Sequence, residues 1–283
     1  MSSRPPHLAG FESWLTVFRR PRTVANRVHY AQRLHAWTHE NDLDALTLTP
    51  GQLAEWLLTV GASPATRKNA ADAIRVYYRW AIDLNLTDTN PADKLPRFTV
   101  PRGLPRPTPD HILRGAITRC NRPQDILMLL LGSLSGLRVA EMSRLRAEDI
   151  NDGQIRVTGK GGHIRHVPVH PLLNEALALA PSCGWLFPSD RNPSGHYLPA
   201  SIGQRIHDLL ATTGWSAHTL RHRFATHVYS SSLDILGLRD LLGHADVTTT
   251  MVYTRVAAEK LSRDVAALQT LPGMTDRIQT LAS

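Results

Sequence analysis

The stretch HADVTTTMVYTRV, residues 244–256, sets His244 nine residues ahead of Tyr253. A single tyrosine on a helix is most often a half-buried packing residue, so any chemistry it does must come from its neighbours. Three other stretches offer such neighbours. In SGLRVAEMSRL, residues 135–145, Gly136 is expected to end one helix and Arg138 to open the next, near free backbone donors, with Glu141 on the same face. A carboxylate there can hold a guanidinium against an anion, although alone such a pair reads as a surface ion pair. In HTLRHRFATH, residues 218–227, His218 and Arg221 lie one helical turn apart, so both can reach one phosphate. His218 and His222 also have the spacing of a helical metal site, but no glutamate or third ligand stands where a zinc hydrolase needs it, and no metal is expected. Lys160, in the tip TGKGG, is either simply solvated or delivered by a flexible hairpin to a leaving oxygen.

Each element is ambiguous alone, but the set has one common use. Two arginines, a lysine, two histidines and a tyrosine suit phosphoryl transfer through a covalent phosphotyrosine, with neither metal nor cofactor required. The arginines would neutralise charge on a pentacoordinate phosphorus, and their planar fork is what lysine could not supply. Free tyrosine has a pKa of about 10, so Tyr253 must give its proton to a nearby acceptor, or lose it in a strongly cationic site, as it attacks.

In these residues the second half of the chain resembles the tyrosine recombinases, also called the phage integrase family. SGLRVAEMSRL, VTGKGGHIRHVPV, HTLRHRFATH and LLGHADVTTTMVYTRV are similar to the family's successive catalytic boxes in order and spacing. The resemblance implies that Arg138, Lys160, His218, Arg221, His244 and Tyr253 are the active-site residues, with Glu141 as an accessory carboxylate. It implies attack of Tyr253 on a DNA phosphate to give a 3′-phosphotyrosine and a free 5′-hydroxyl, with Lys160 as general acid and ligation without ATP. It further implies a two-domain clamp on double-stranded DNA attachment sites and a homo-tetramer on synapsed DNA, monomeric or weakly associated when free. A directionality factor is a possible further partner. No room is left ahead of the first helix for a module that binds distant arm-type sites, so a minimal recombinase acting on simple core sites is expected. The leading expectation is a phage or prophage integrase. A Xer-like dimer-resolution enzyme, a transposon recombinase, a type IB topoisomerase and a catalytically idle DNA-binding regulator are the alternatives.

Elements able to position these residues can be read from periodicity. Over residues 8–86, Phe11, Trp14, Leu15 and Phe18, then Tyr30, Leu34 and Trp37, then Leu53, Trp56, Leu57 and Val60, then Ile74, Tyr77, Tyr78 and Ile82 recur at helical spacing. Four helices result, with Thr49-Pro50 and Ser63-Pro64 as caps and the aromatics as core rather than a base-stacking platform. A proline-rich run, residues 90–110, cannot be a helix and reads as a stiff, extended connector. Thr108-Pro109 is a further cap, 124–134 an apolar helix, and GQIRVTGKGGHIRHVPV at 153–169 a hairpin. More helical patterns start near 171, 201, 217, 234 and 256. The class is mainly α with a small antiparallel β-sheet: a helical DNA-binding domain over 1–90, a linker over 91–109 and a catalytic domain over 110–283. The amphipathic AAEKLSRDVAALQTL after Tyr253 would pack on its own domain or on a neighbouring protomer.

Composition agrees with a polyanionic partner. Lysine and arginine number 32 against 24 acidic residues, and the excess is densest in residues 1–109, which hold 14 basic and 9 acidic side chains. Arg19, Arg20, Arg22, Arg67, Lys68, Arg97, Arg102 and Arg106 are the candidate phosphate contacts, if they are not merely a solvated face. Cys120 and Cys183 match no ligand or disulfide framework, and the longest apolar run, 126–134, is too short to span a bilayer. A cytoplasmic protein with no membrane partner is expected.

Overall fold

The computed structural model describes residues 6–98, 100, 103–159, 161–211 and 214–257. The chain forms two compact units, Met1–Arg102 and Gly103–Ser283. Among the described residues no helix is long and apolar enough to cross a membrane.

The front unit holds α1 (Pro6–Phe18), α2 (Pro21–Glu40), α3 (Pro50–Val60) and α4 (Pro64–Asp83). Proline opens α2, α3 and α4, where its missing N–H leaves no helical bond unmade. Thr49 caps α3 as expected: its hydroxyl accepts from Gln52 N at 3.3 Å while Gln52 Oε1 accepts from Thr49 N at 2.9 Å. Ser63 differs, since its side chain makes no cap bond to α4. Phe11, Leu15, Leu34, Trp56, Tyr77 and Tyr78 are buried in one core. Phe11 and Tyr77 meet edge to face at 5.4 Å, and Tyr78 donates its hydroxyl to Ala45 O at 2.6 Å.

The connector expected over 91–109 is corrected at both ends. Pro91–Lys94 is a 3₁₀ turn, and Ala92 and Leu95 are buried in the front core. Proline is excluded from a helix interior but not from the first position of a turn. Arg75 on α4 then holds the segment down, donating to Ala92 O at 3.2 Å and Leu95 O at 3.3 Å. At the other end Thr108 does not cap α5; its hydroxyl pairs with that of Thr219 at 2.7 Å, and both are buried.

The second unit contains α5 (Asp110–Thr118), α6 (Pro123–Leu134), α7 (Val139–Met142), β1 (Ile150–Asn151), β2 (Gln154–Thr158), β3 (Ile164–Pro168), α8 (Pro171–Leu177), α9 (Pro199–Leu210), α10 (Ala217–Ser232) and α11 (Ile235–Leu242). Short 3₁₀ turns follow over Val247–Thr249 and Met251–Ala257. The three strands form an antiparallel sheet in the order β1-β2-β3, with Ile155 opposite Val167 and Thr158 opposite Ile164. Ile155, Val157 and Val167 turn inward and are buried, as the alternation in the sequence requires. Helix α6 is apolar on all sides because it is the core's central rod: Leu127, Met128, Leu129, Leu130 and Leu131 are buried. A second cluster joins α10 and α11 to the segment beyond them through Phe224, Ala225, Leu238, Leu242 and Tyr253. Of the helix expected from residue 256 onward, everything past residue 257 lies outside the described residues.

Candidate active site

Gly136, just past α6, has φ +61, and a Cβ there would meet Phe224 Cδ1 at 2.4 Å. Only glycine fits, and the tight turn lets the chain re-enter a helix three residues later, at Val139. Arg138 occupies the N-cap of α7, and its backbone N–H donates to Glu141 Oε2 at 2.9 Å. The expected Arg138–Glu141 pair is present, Nη1 to Oε1 at 2.9 Å. It is one part of a larger assembly. Arg165, on β3, grips the same carboxylate with both terminal nitrogens, at 3.0 and 2.8 Å, and Arg221 Nη1 stands 3.8 Å from Glu141 Oε2. Glu141 is therefore a buried anion inside three guanidiniums, not a surface ion pair. Burial pushes its carboxyl up, but Arg165, the Arg138 N–H and Arg221 outweigh burial and bring it down to about 2.

The arginines also share a second support. The last carbonyls of α11 have no partner within their helix and carry its negative dipole end. Leu241 O accepts from Arg165 Nε at 2.8 Å, while Leu242 O accepts from Arg138 Nη1 at 3.4 Å and from Arg221 Nη2. Arg221, on α10, also donates to Gly136 O and, at 3.2 Å, to His244 Nε2. Burial and the neighbouring Arg138 push Arg221 down to about 9, still cationic at neutral pH. Its side chain is 5% exposed against 40% for Arg138. Arg138 thus presents the open cationic edge, and an incoming anion reaches Arg221 by taking over a bond that a carbonyl or His244 now holds.

His244 follows α11. Because Arg221 can only donate, His244 Nε2 must accept, so the hydrogen of the neutral ring sits on Nδ1 and is given to Thr250 Oγ1 at 3.0 Å. Burial, then Arg221, Arg138 and Arg165, bring His244 down to about 4, so the ring is neutral at pH 7. Thr250 is fully buried, and its carbonyl accepts from Tyr253 N at 3.0 Å. One threonine therefore orients the histidine and starts the 3₁₀ turn that carries the tyrosine. Tyr253 is 4% exposed, and its hydroxyl lies 3.1 Å from His222 Nδ1. Burial raises the Tyr253 pKa, with Arg221 pulling the other way.

Of the expected residues, Arg138, Glu141, Arg221 and His244 are joined by direct contacts, and Tyr253 is tied to His244 through Thr250. His218 lies exposed on α10, its ring 4.4 Å from that of His222, with its pKa lowered by desolvation and by Arg221 and Arg138. Lys160 lies outside the described residues. Arg165 and His222 are the residues that sequence reasoning missed. An arginine sharing the inward register of Val167 on an otherwise alternating strand was the available signal for the first. His222 was visible only as half of a metal spacing, yet its Nδ1 faces a hydroxyl.

The basic residues of the front unit differ among themselves. Arg19, Arg20, Arg22 and Arg97 are exposed. Arg67 Nε donates to Gly61 O at 2.8 Å and Lys68 pairs with Asp72 at 2.6 Å, so both are partly engaged within their own unit. Arg106, in the second unit, lies over the Trp215 ring at 4.7 Å. Arg102 is outside the described residues.

The sequence profile of the phage integrase family matches residues 110–260, more than half of the chain. The chain belongs to the phage integrase family. Among curated tyrosine recombinases it is 33% identical to XerC of Erythrobacter litoralis over 220 residues, covering 70% of this chain and 71% of that protein. It is 35% identical to XerC of Rhodospirillum centenum over 249 residues, covering 78% and 71%. In fold it is similar to a lambda integrase tetramer bound to a Holliday junction, with a TM-score of 0.68, 17% identity and coverage of 85% and 77%. It is a tyrosine recombinase by descent, an enzyme of DNA recombination whose mainly helical fold with one small sheet is that of the family.

Proposed function

We propose that the chain is a site-specific DNA recombinase that cuts and rejoins duplex DNA through a 3′-phosphotyrosine at Tyr253. The observation that carries this reading is the carboxylate-centred arginine cluster beside the tyrosine: Glu141 orients Arg138, Arg165 and Arg221 in a site that keeps net positive charge, fitted to an anion. A scissile phosphate docks first on the open edge of Arg138 and then on Arg221, and both stabilise the charge that develops on its oxygens during attack. His244 holds the guanidinium plane of Arg221. His218 faces the same phosphate from the exposed side of α10. Lys160, from the β2–β3 hairpin, protonates the leaving 5′-oxygen. The exposed arginines of the helical front domain contact the flanking backbone, and four chains assemble on two synapsed sites.

Two biological roles fit this chemistry. Sequence features alone led to a phage or prophage integrase, whereas curated relatives at 33 and 35% identity that are XerC proteins favour a Xer-like role. Strand exchange between two copies of a site flanking the chain's own gene, on one plasmid and on two, separates the roles by whether resolution or integration dominates. The chemistry is tested with a nicked duplex carrying that flanking DNA. Wild type should give a slow-migrating, protease-sensitive adduct on a denaturing gel, and Tyr253→Phe should bind equally well and give none. An adduct from Tyr253→Phe would remove Tyr253 from the nucleophile's role.

A further inference from the structure

If Tyr253 is the nucleophile, its proton needs a destination, and the groups around it narrow the choice. His244 is engaged at both nitrogens, by Thr250 Oγ1 and by Arg221. Glu141 is saturated by Arg138 and Arg165 and held too acidic to take a proton at neutral pH. Arg221 is a cation. His222 is different: it sits on α10 immediately after Arg221, and its Nδ1 lies 3.1 Å from the Tyr253 hydroxyl, with the two rings 5.8 Å apart. Tyr253 is 4% exposed, so bulk water has little access to that hydroxyl.

We propose that His222 Nδ1 is the base that receives the Tyr253 hydroxyl proton during strand cleavage and returns it during ligation; this rests on the proposed phosphotyrosine reaction. In cleavage the Tyr253 O–P bond forms while the P–O5′ bond breaks. The phenolic proton passes to Nδ1, leaving His222 as an imidazolium, and the departing 5′-oxygen takes a proton from the general acid across the phosphorus. In ligation the 5′-hydroxyl attacks, the phenolate leaves, and the imidazolium reprotonates it. The resting state has the protonation this requires. Burial, His218 and Arg221 bring His222 down to about 4, so its ring is neutral at pH 7, and the tautomer with its hydrogen on Nε2 turns the Nδ1 lone pair to the hydroxyl. Such an imidazole is a weak base towards free tyrosine, but an oxygen forming a bond to phosphorus loses its proton affinity as the bond forms, so the transfer runs downhill late in the step.

The groups facing His222 are His218 and Arg221 from its own helix and Tyr253 from the 3₁₀ turn. His222 is already neutral above about pH 5, so wild-type cleavage should show little pH dependence from this group between pH 6 and 9. Without it, the rate should rise steeply with pH as tyrosinate or hydroxide takes over.

The test is single-turnover cleavage of a nicked duplex on which the wild type forms its covalent adduct, using His222→Asn and His222→Ala in the full chain. Asparagine can accept the tyrosine's hydrogen bond near the Nδ1 position but cannot keep the proton, so it separates holding the hydroxyl from removing its proton. His222→Asn should cleave about 100-fold more slowly at pH 7, the contribution usual for a general base. Trifluorotyrosine at position 253, more acidic by several pKa units, should recover most of that loss in His222→Asn and change wild type little. Cleavage by His222→Asn within threefold of wild type would overturn the proposal. So would a slow variant that fluorination does not restore, because a structural defect is indifferent to the acidity of the nucleophile. Tyr253→Phe runs alongside: an adduct from it would mean that the phosphotyrosine reading itself fails, whatever His222 does.

Discussion

Glu141 decides the charge state of the site. Its folded pKa of about 2 lies below the ordinary 4.5, so the stability it contributes is fully present above about pH 5 and is lost as pH falls from 4.5 towards 2. The shift is worth about 3 kcal/mol. Glu141→Gln should abolish that part of the acid dependence and, by leaving buried guanidiniums without a counter-charge, cost about 3–5 kcal/mol at neutral pH. Urea unfolding at pH 3, 5 and 7 checks both. His244 acts in a higher window. Its folded pKa of about 4 lies below the usual 6.5, so its contribution is complete above 6.5 and declines as pH falls towards 4. Thr250→Val keeps the shape of the side chain but strips the acceptor from His244 Nδ1–H, and should cost about 1–3 kcal/mol. Nitrogen NMR of His244 should show Nδ1 protonated in wild type and in Thr250→Val alike, because Arg221 still donates to Nε2, with the Nδ1 resonance shifted in the variant by the loss of its acceptor.

The site stands on two helix ends. The C-terminus of α11 gives its last carbonyls to three arginines, and the turn leaving α6 gives Gly136 O to Arg221. Gly136→Ala forces a left-handed alanine into the Phe224 ring and should cost about 2–5 kcal/mol, the sum of backbone strain and overpacking. It should also slow cleavage at least tenfold at temperatures where the variant is folded, since the carbonyl that positions Arg221 moves. Gly153→Ala is the control. That glycine also has positive φ, but a Cβ there meets nothing within 4 Å, so only the backbone term of about 1–2 kcal/mol applies and cleavage should stay unchanged. Thermal unfolding and the adduct assay separate the two.

The whole chain carries a net charge of +8, and residues 1–109 hold a surplus of basic over acidic side chains of 14 against 9. On the proposed function this excess meets the DNA backbone, so affinity should fall linearly in a plot of log K against log salt. The exposed Arg20 and Arg22 are expected to weigh more than Arg67 and Lys68, which are bound to Gly61 O and Asp72. Arg22→Ala should flatten the slope by about 0.9, one phosphate's worth, with Lys68→Ala changing it less. Fluorescence anisotropy across a salt series measures this, and equal effects would mean that internal pairing does not decide which cations reach DNA.

Helix order, the alternating hairpin and the residue types of the site were legible in the sequence because they rest on local periodicities: Arg138 and Glu141 are one turn apart in any helix, and β2 and β3 alternate in any sheet. Their partners were not legible. Arg165 meets Glu141 across 24 residues and His222 meets Tyr253 across 31, and no spacing encodes which face of a strand or turn will arrive opposite a given helix. The carbonyls of Gly136, Leu241 and Leu242 have no side-chain signature at all, yet they hold Arg221, Arg165 and Arg138 in place. The proline run misled for a related reason. Its composition excludes an α-helix, but whether Pro91–Leu95 packs depends on a guanidinium from α4 meeting its carbonyls. Sequence alone thus determined the chemistry available to this protein; the tertiary structure decided which groups hold each charge and proton, because burial and long-range pairing exist only once the helices have packed.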